Sequence, residues 1–255
     1  MRKLSKPITE LKNNYEVVII GSGYGASIAA SRFSRSGHKV CVLEKGKEFQ
    51  PGDYPDTLSE AQGEIQINAD GREAHHNGLY ELHVSENISV FKGCGLGGTS
   101  LVNANVSIKP EPRVFEDPSW PTAIRNNMKS LDDAYELART MLKPSPYPAG
   151  KNGYPELAKT KAMKQSSVVM KEPFRLLDIN VNFEDGVNHV GVEQKKCNNC
   201  GDCVTGCNHH AKNTLIMNYL PDAVNNGAEI FCNIDVSYIE KKGNQWLIWF
   251  KVHNT

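Results

Sequence analysis

The sequence predicts an α/β fold of Rossmann-like layout, and three spaced signals carry that prediction. Val17, Val18, Ile19 and Ile20 form a continuous β-branched run, as expected of a strand covered on both faces. A glycine turn, Gly21-Ser22-Gly23-Tyr24-Gly25-Ala26, follows at once and opens a helix. A second apolar strand, residues 39–43, ends in Glu44, 21 residues after Gly23. Together these make one βαβ unit with a closing acid, the arrangement that receives a dinucleotide.

Each residue type in the turn has a physical reason. Gly21 allows the tight bend, and Gly23, lacking a side chain, lets a pyrophosphate reach the backbone. Ser22 and Gly25 belong to the same turn, and Ala26 is the small third position where helix and strand pack closely. The helix N-terminus offers unpaired N–H groups and a positive dipole end. The helix, residues 26–35, closes at Ser36-Gly37. Glu44 stands where an acid meets a ribose hydroxyl.

At 255 residues, 39% of them hydrophobic, the chain can bury the core of one large or two ordinary domains. Lys+Arg and Asp+Glu both number 29, so the charge balance favours neither nucleic acid nor an anionic membrane. No apolar run approaches the roughly 20 residues of a transmembrane helix. Met1 to Pro7 is basic but has no apolar core, unlike a secretory signal. Seven cysteines, four of them bunched, do not make a secreted disulfide framework. They suit a reducing, cytoplasmic compartment and a metal or cluster site.

After Glu44 a turn-rich loop runs to Pro55, followed by a polar, weakly periodic stretch. His75-His76 lacks a ligand partner at metal spacing and reads as surface or turn. Asn77-Gly78 is a turn signal, and residues 79–84 and 88–92 read as strands. The second strand runs into Gly93-Cys94-Gly95-Leu96-Gly97-Gly98-Thr99-Ser100. So many glycines let main chain approach a bulky planar ligand and supply N–H donors. Prolines punctuate the next segment, from Pro110 to Pro121. A helix at 131–142 places Leu131, Ala134, Tyr135, Ala138, Met141 and Leu142 on one face, a stripe for core packing. Residues 156–169 read as helix, 175–181 as a short strand, and 213–224 as helix interrupted by Pro221. Strands at 229–232, 235–240 and 245–252 close the chain, the last two joined through a Gly243-Asn244 hairpin.

These segments carry a family resemblance. Gly21 to Ala26 with Glu44 resembles the FAD-binding start of the glucose–methanol–choline (GMC) oxidoreductases. Gly93 to Val106 resembles that family's second flavin-contacting segment, and Asp117-Pro118-Ser119-Trp120-Pro121 the tail of its signature. Cys197 to Cys207, then Ala211-Lys212-Asn213-Thr214 and Asn218-Tyr219-Leu220-Pro221, is similar to the cholesterol-oxidase-like branch. The resemblance implies bound FAD and oxidation of an alcohol, sterol or otherwise hydrophobic, by hydride transfer to flavin N5. It implies pyrophosphate contacts at Gly21, Gly23 and Ala26 and the adenosine ribose at Glu44. It places Gly93, Gly97, Gly98 and Ser100 near pyrophosphate and flavin, Asn103 near the isoalloxazine, and the Val236 backbone at the adenine. The electron acceptor would be O2, a quinone or a redox protein. The implied division is an FAD-binding part at 1–107, an inserted helical or lid and partial substrate-domain segment at 108–194, and a cysteine-run segment at 195–255 that continues the FAD-binding part.

In this family the catalytic histidine and its partner lie further on, and so does the strand that completes the nucleotide-binding sheet. His253 fits no catalytic motif, so no catalytic residue is assigned. The expectation is the N-terminal half of a longer enzyme, with an incomplete sheet and no turnover alone. Two other readings stay open: an electron-transfer module fused to a nucleotide-binding domain, and a non-catalytic FAD-binding remnant.

The run Cys197-x2-Cys200-x2-Cys203-x3-Cys207 has the spacing of a bacterial ferredoxin run. It lacks the following proline and a second run, and it is too compact for an ordinary zinc site. An iron–sulfur cluster, reduced thiols in a tight glycine-assisted turn, and zinc are the alternatives. Cys41, Cys94 or Cys232 could supply a fourth ligand.

Overall fold

The computed structural model describes residues 2–69, 77–151 and 153–253; His75-His76 lies outside them. The βαβ start forms as expected. β1 (Val17–Ile20) leads through Gly21, at φ +83°, into α1 (Tyr24–Arg35). β2 (Val40–Leu43) then pairs parallel to β1, with Val17 opposite Val40 and Ile20 opposite Leu43. The helix begins two residues earlier than the pattern suggests, because Gly23 already serves as its N-cap. Gly37, at φ +88°, takes the left-handed position past its end.

β1 is not covered on both faces. Its first three residues are half-buried and Ile20 is 49% exposed, whereas all of β2 is buried. The sheet order explains the difference. β2 is the middle strand, between β1 and a parallel third strand near the end of the chain, so β1 lies at an edge among the described residues.

The polar stretch after the loop is more ordered than its weak periodicity implies. Thr57 and Glu60 form a reciprocal capping box that starts α2 (Leu58–Gly63). β3 (Ile65–Ala69), which the pattern misses, pairs parallel with β4 (Tyr80–Val84), and β4 pairs antiparallel with β5 (Val90–Gly93). β3 alternates exposed isoleucines with buried Gln66 and Asn68, which inverts the usual hydrophobic signal.

Next come β6 (Val106–Ser107), α3 (Thr122–Arg125) and α4 (Met128–Leu142). The α4 stripe does not form the core its period predicts. Only Met141 is buried; Leu131, Tyr135, Ala138 and Leu142 are half-covered and Ala134 is exposed, since the helix meets the body at its C-terminal end. β7 (Ser145–Pro146), α5 (Ala158–Met170) and β8 (Asp178–Ile179) follow, and α5 buries no residue. β6, β8 and β7 form a small antiparallel sheet. β9 (Gly186–Val187) and β10 (Glu193–Gln194) pair as a short ribbon.

α6 (Tyr219–Asn225) tolerates Pro221 because it sits in the first turn, where the missing N–H has no intrahelical partner. β11 (Glu229–Phe231) pairs parallel to β2 and completes the order β1-β2-β11. β12 (Ile234–Lys242) and β13 (Gln245–Val252) form the expected hairpin, with Lys242 opposite Gln245 and a bulge near Val236. The main core lies between this three-stranded sheet and α1 with α6, through Ala30, Val40, Val42, Leu220, Ala223 and Ile230. Arg35 locks the two helices, donating from Nε and Nη2 to the Asp222 carboxylate at 2.8 and 2.6 Å.

Candidate cofactor site

The site grows from the C-terminal ends of β1 and β2. The α1 N-terminus has no side-chain cap, so its first N–H groups stay open to a ligand. A Cβ placed on Gly21, Gly23 or Gly25 would meet nothing within 4 Å. These glycines therefore do not serve internal packing; they leave free space in front of the helix. Ala26 follows in the first turn, half-buried.

The second glycine segment packs directly on the first. A Cβ on Gly98, which has φ +55°, would come within 2.9 Å of the Gly23 Cα. One on Gly93 would reach 2.7 Å from the Gly98 carbonyl oxygen, and one on Gly46 would reach 2.3 Å from the Gly95 nitrogen. Here glycine is required by close approach of main chain to main chain.

Ser22 joins the two segments. Its hydroxyl, 1% exposed, donates to Glu44 Oε2 at 2.5 Å and accepts from the Gly97 N–H at 2.9 Å. Glu44 Oε1 accepts from the Gly46 N–H at 2.8 Å. Burial raises the Glu44 pKa above the carboxylate norm, and the bonds from Ser22 and Gly46 offset part of that. The acid expected at a ribose thus also has an internal role. Its two oxygens retain lone pairs for a further donor. Ser100 turns inward, donating to the Gly97 carbonyl at 2.7 Å and accepting from the Leu215 N–H at 3.1 Å. Val236 is half-buried on β12, against the cluster of Cys41, Leu43, Phe231 and Ile234.

Asn103 lies across the α1 start. Its Nδ2 donates to the Tyr24 hydroxyl at 2.9 Å, and its Oδ1 accepts from the Asn105 N–H at 3.2 Å. Burial raises the Tyr24 pKa, opposed by the Asn103 bond. The Asn105 Oδ1 and Thr214 Oγ1 atoms are buried without a hydrogen-bond partner among the described residues. Lys212, 2% exposed, donates to the carbonyls of Leu101 at 3.0 Å, Asn103 at 2.8 Å and Cys203 at 2.7 Å. Burial lowers its pKa to about 8, and Cys203 and Cys207 oppose the shift. Sequence reasoning assigns a role to neither Tyr24 nor Lys212. The only signals are an aromatic inside the glycine turn and a lysine amid apolar and amide neighbours.

The four clustered cysteines line one cavity of about 20 Å³ together with His209 and Lys212. That volume admits about one water, not a cubane of irons and sulfides. Among the described residues no three histidine, cysteine or acidic side chains are arranged to hold a metal ion. As placed, the run does not fit an iron–sulfur cluster, and all seven cysteines are free thiols.

An uncapped helix N-terminus facing free space, with a buried acid at the end of the neighbouring strand, defines a dinucleotide-binding class of site. The model of the GMC oxidoreductase family matches residues 16–246, and the chain belongs to that family. It is 28% identical to a cholesterol oxidase of Mycobacterium tuberculosis (strain CDC 1551 / Oshkosh), over 92% of this chain and 41% of the relative. It is 27% identical to the long-chain-alcohol oxidase FAO3 of Arabidopsis thaliana, over 90% of this chain and 28% of the relative. The chain thus spans less than half the length of these curated relatives. A crystal structure of pyridoxine 4-oxidase from Mesorbium loti aligns with a TM-score of 0.48 and 15% identity, over 91% of this chain and 45% of that one. No helix among the described residues is long and apolar enough to cross a membrane.

Proposed function

We propose that this chain forms the FAD-binding part of an oxidoreductase that removes hydride from the CH–OH group of a hydrophobic alcohol. The observation that carries the reading is the α1 N-terminus, uncapped and fronted by glycines with no packing role. Gly23, Gly25 and Ala26 hold the pyrophosphate with main-chain N–H groups, Gly21 and Ser22 form the turn that lets it approach, and Glu44 accepts from the ribose. Gly93, Gly97, Gly98 and Ser100 shape the wall beside them, Asn103 faces the flavin, and the Val236 backbone meets the adenine. When bound, FAD supplies the hydride acceptor. The part of this chain is to bind and orient it, and no proton-transferring residue is assigned.

The names of the relatives, a cholesterol oxidase and a long-chain-alcohol oxidase, support a sterol or other hydrophobic alcohol as substrate. The FAD-binding part comprises residues 1–107 and 195–255, a division supported by β11 joining β1 and β2 in one sheet. Residues 108–194 are the inserted segment. A reducing, cytoplasmic setting belongs to the same proposal, supported by the free thiols. An iron–sulfur centre retains only the support of cysteine spacing.

The test is Gly23→Ala. A Cβ there meets no protein atom, so the variant keeps its fold, yet it occupies the space the pyrophosphate needs. Purified wild-type protein is expected to carry flavin absorbance, and Gly23→Ala to lose it with unchanged thermal unfolding. Wild type that takes up no FAD, or a variant that binds it equally well, overturns the reading.

A further inference from the structure

Asn103 is held at each of its polar groups. Its main-chain N–H donates to the Thr99 carbonyl at 3.0 Å, and its own carbonyl accepts from Lys212 at 2.8 Å. Its side-chain Oδ1 accepts from the Asn105 N–H at 3.2 Å, and its Nδ2 donates to the Tyr24 hydroxyl at 2.9 Å. An amide nitrogen carries two hydrogens, and Tyr24 takes one of them. The other finds no acceptor among the described residues.

The neighbours also decide which way the amide points. A main-chain N–H can only donate, so the Asn105 N–H selects the amide oxygen and turns the nitrogen toward Tyr24. Asn105 is itself fixed. It is buried, it takes the left-handed conformation at φ +64°, and its carbonyl accepts from the Asn180 N–H at 2.8 Å. Tyr24 therefore meets a donor and accepts with its oxygen. Its ring packs against the main core, which sets the place of that oxygen. Burial raises the Tyr24 pKa, so the hydroxyl keeps its own hydrogen. Tyr24 and Asn103 together thus present spare donors at the start of α1, a match for an electron-rich partner.

We propose that Tyr24 is a positioning residue: its hydroxyl holds the Asn103 amide so that the remaining N–H donates to an acceptor atom on the flavin edge and favours reduced over oxidised flavin. The inference rests on the flavin reading above, which puts Asn103 at the ring. Two-electron reduction adds negative charge to that ring, and a hydrogen bond to a charged acceptor is about twice as strong as one to a neutral acceptor. A fixed donor therefore binds reduced flavin more tightly than oxidised flavin, by about tenfold. For a two-electron couple that ratio is about 30 mV in potential. Without the Tyr24 oxygen the amide keeps only its Asn105 bond and the donor loses its aim.

A different role for the hydroxyl makes a different prediction. Tyr24 opens α1, so its spare hydrogen could instead meet the pyrophosphate. The charge of the pyrophosphate does not change on flavin reduction, and losing that contact would weaken both oxidation states equally.

The experiment compares wild type, Tyr24→Phe, Asn103→Ala and the double variant, each loaded with FAD. Flavin absorbance establishes loading, thermal unfolding checks the fold, fluorescence titration gives the Kd of oxidised FAD, and dithionite titration against a reference dye gives the midpoint potential. Tyr24→Phe is expected to unfold as wild type does and to lower the potential by about 30 mV, a tenfold loss of preference for reduced flavin. Asn103→Ala is expected to lower it at least as far, and the double variant no further than Asn103→Ala. An unchanged potential in either single variant overturns the inference. So does a Tyr24→Phe protein that weakens oxidised FAD while the potential stays put, which assigns the hydroxyl to the pyrophosphate. Additive losses in the double variant show that Tyr24 does not act through Asn103 and overturn the positioning role, and a Tyr24→Phe protein that fails to fold makes the hydroxyl structural and does the same. Wild type without bound flavin refutes the inference together with the flavin reading; loaded wild type with unchanged variants refutes the inference alone.

Discussion

Ser22→Ala removes one hydroxyl that joins two glycine segments of the candidate cofactor site. The hydroxyl donates to an acid at 2.5 Å and accepts a main-chain N–H at 2.9 Å. Losing a bond to a charged group costs about 1.5–3 kcal/mol, and leaving the buried Gly97 N–H unpaired costs about 1–3 kcal/mol. The two share one atom and do not add fully, so the expected loss is about 3 kcal/mol. With a urea m-value of about 3 kcal/mol/M, the unfolding midpoint falls by about 1 M. The loss also depends on pH. Burial raises the Glu44 pKa from its ordinary 4.5, and the Ser22 bond pulls it down. Removing that bond raises it further. Above pH 4.5 the unfolded chain ionises Glu44 first, so the native state binds more protons and stability falls as pH rises through the folded pKa. The variant should therefore lose more near neutral pH than near pH 4.5. Urea unfolding of flavin-free protein across that range is the assay. A midpoint shift below about 0.3 M, or a loss independent of pH, refutes the assignment of Ser22 as the joint between the segments.

Three further outcomes rest on the same geometry. Glu44→Gln should abolish the decline in stability with rising pH while weakening FAD about tenfold, read by unfolding and by fluorescence titration; unchanged FAD affinity removes Glu44 from the ribose. Gly98→Ala should destabilise the protein by about 2–3 kcal/mol in urea, because its φ of +55° disfavours a side chain and the new Cβ would lie 2.9 Å from the Gly23 Cα; a loss below about 0.5 kcal/mol would show that the loops are not packed this closely. Burial opposes ionisation of Glu229, but bonds from Lys12, Lys6 and Tyr15 outweigh it and hold the pKa at about 2. Its contribution is present above pH 4.5 and is lost as pH falls toward 2, and acid titration of Glu229→Gln should show a flatter profile over that range.

The βαβ unit is legible in the sequence because its signals are local. A β-branched run, a glycine turn and an acid at a fixed distance need no tertiary information. Coverage is not local and stays hidden. Val17 to Ile20 and Val40 to Leu43 are both apolar runs, yet only the second is the middle strand, and that depends on where Glu229 to Phe231 pairs. The α4 stripe likewise has the right period, but only its end reaches the body. β3 escapes for the opposite reason: its buried positions are Gln66 and Asn68, made tolerable by bonds from Gln66 to the Gly78 carbonyl and from Asn68 to Glu81. The cysteine spacing is easily read but insufficient, since spacing says nothing of the volume the thiols enclose.

The glycines themselves divide into two kinds that the sequence alone does not separate. Gly23 and Gly25 have open space where a side chain would stand and no left-handed backbone, so the fold gains nothing from their being small, whereas Gly21 is held as glycine by its φ of +83°. Gly46, Gly93 and Gly98 would clash with neighbouring main chain, so the fold requires them. The first kind is what a ligand explains and the second is what packing explains. Substituting alanine in each set therefore separates binding from folding: open-space variants should keep stability and lose cofactor, while clashing variants should lose stability first. If both sets lose stability alike, the space before α1 is a defect of packing and the case for a cofactor there fails.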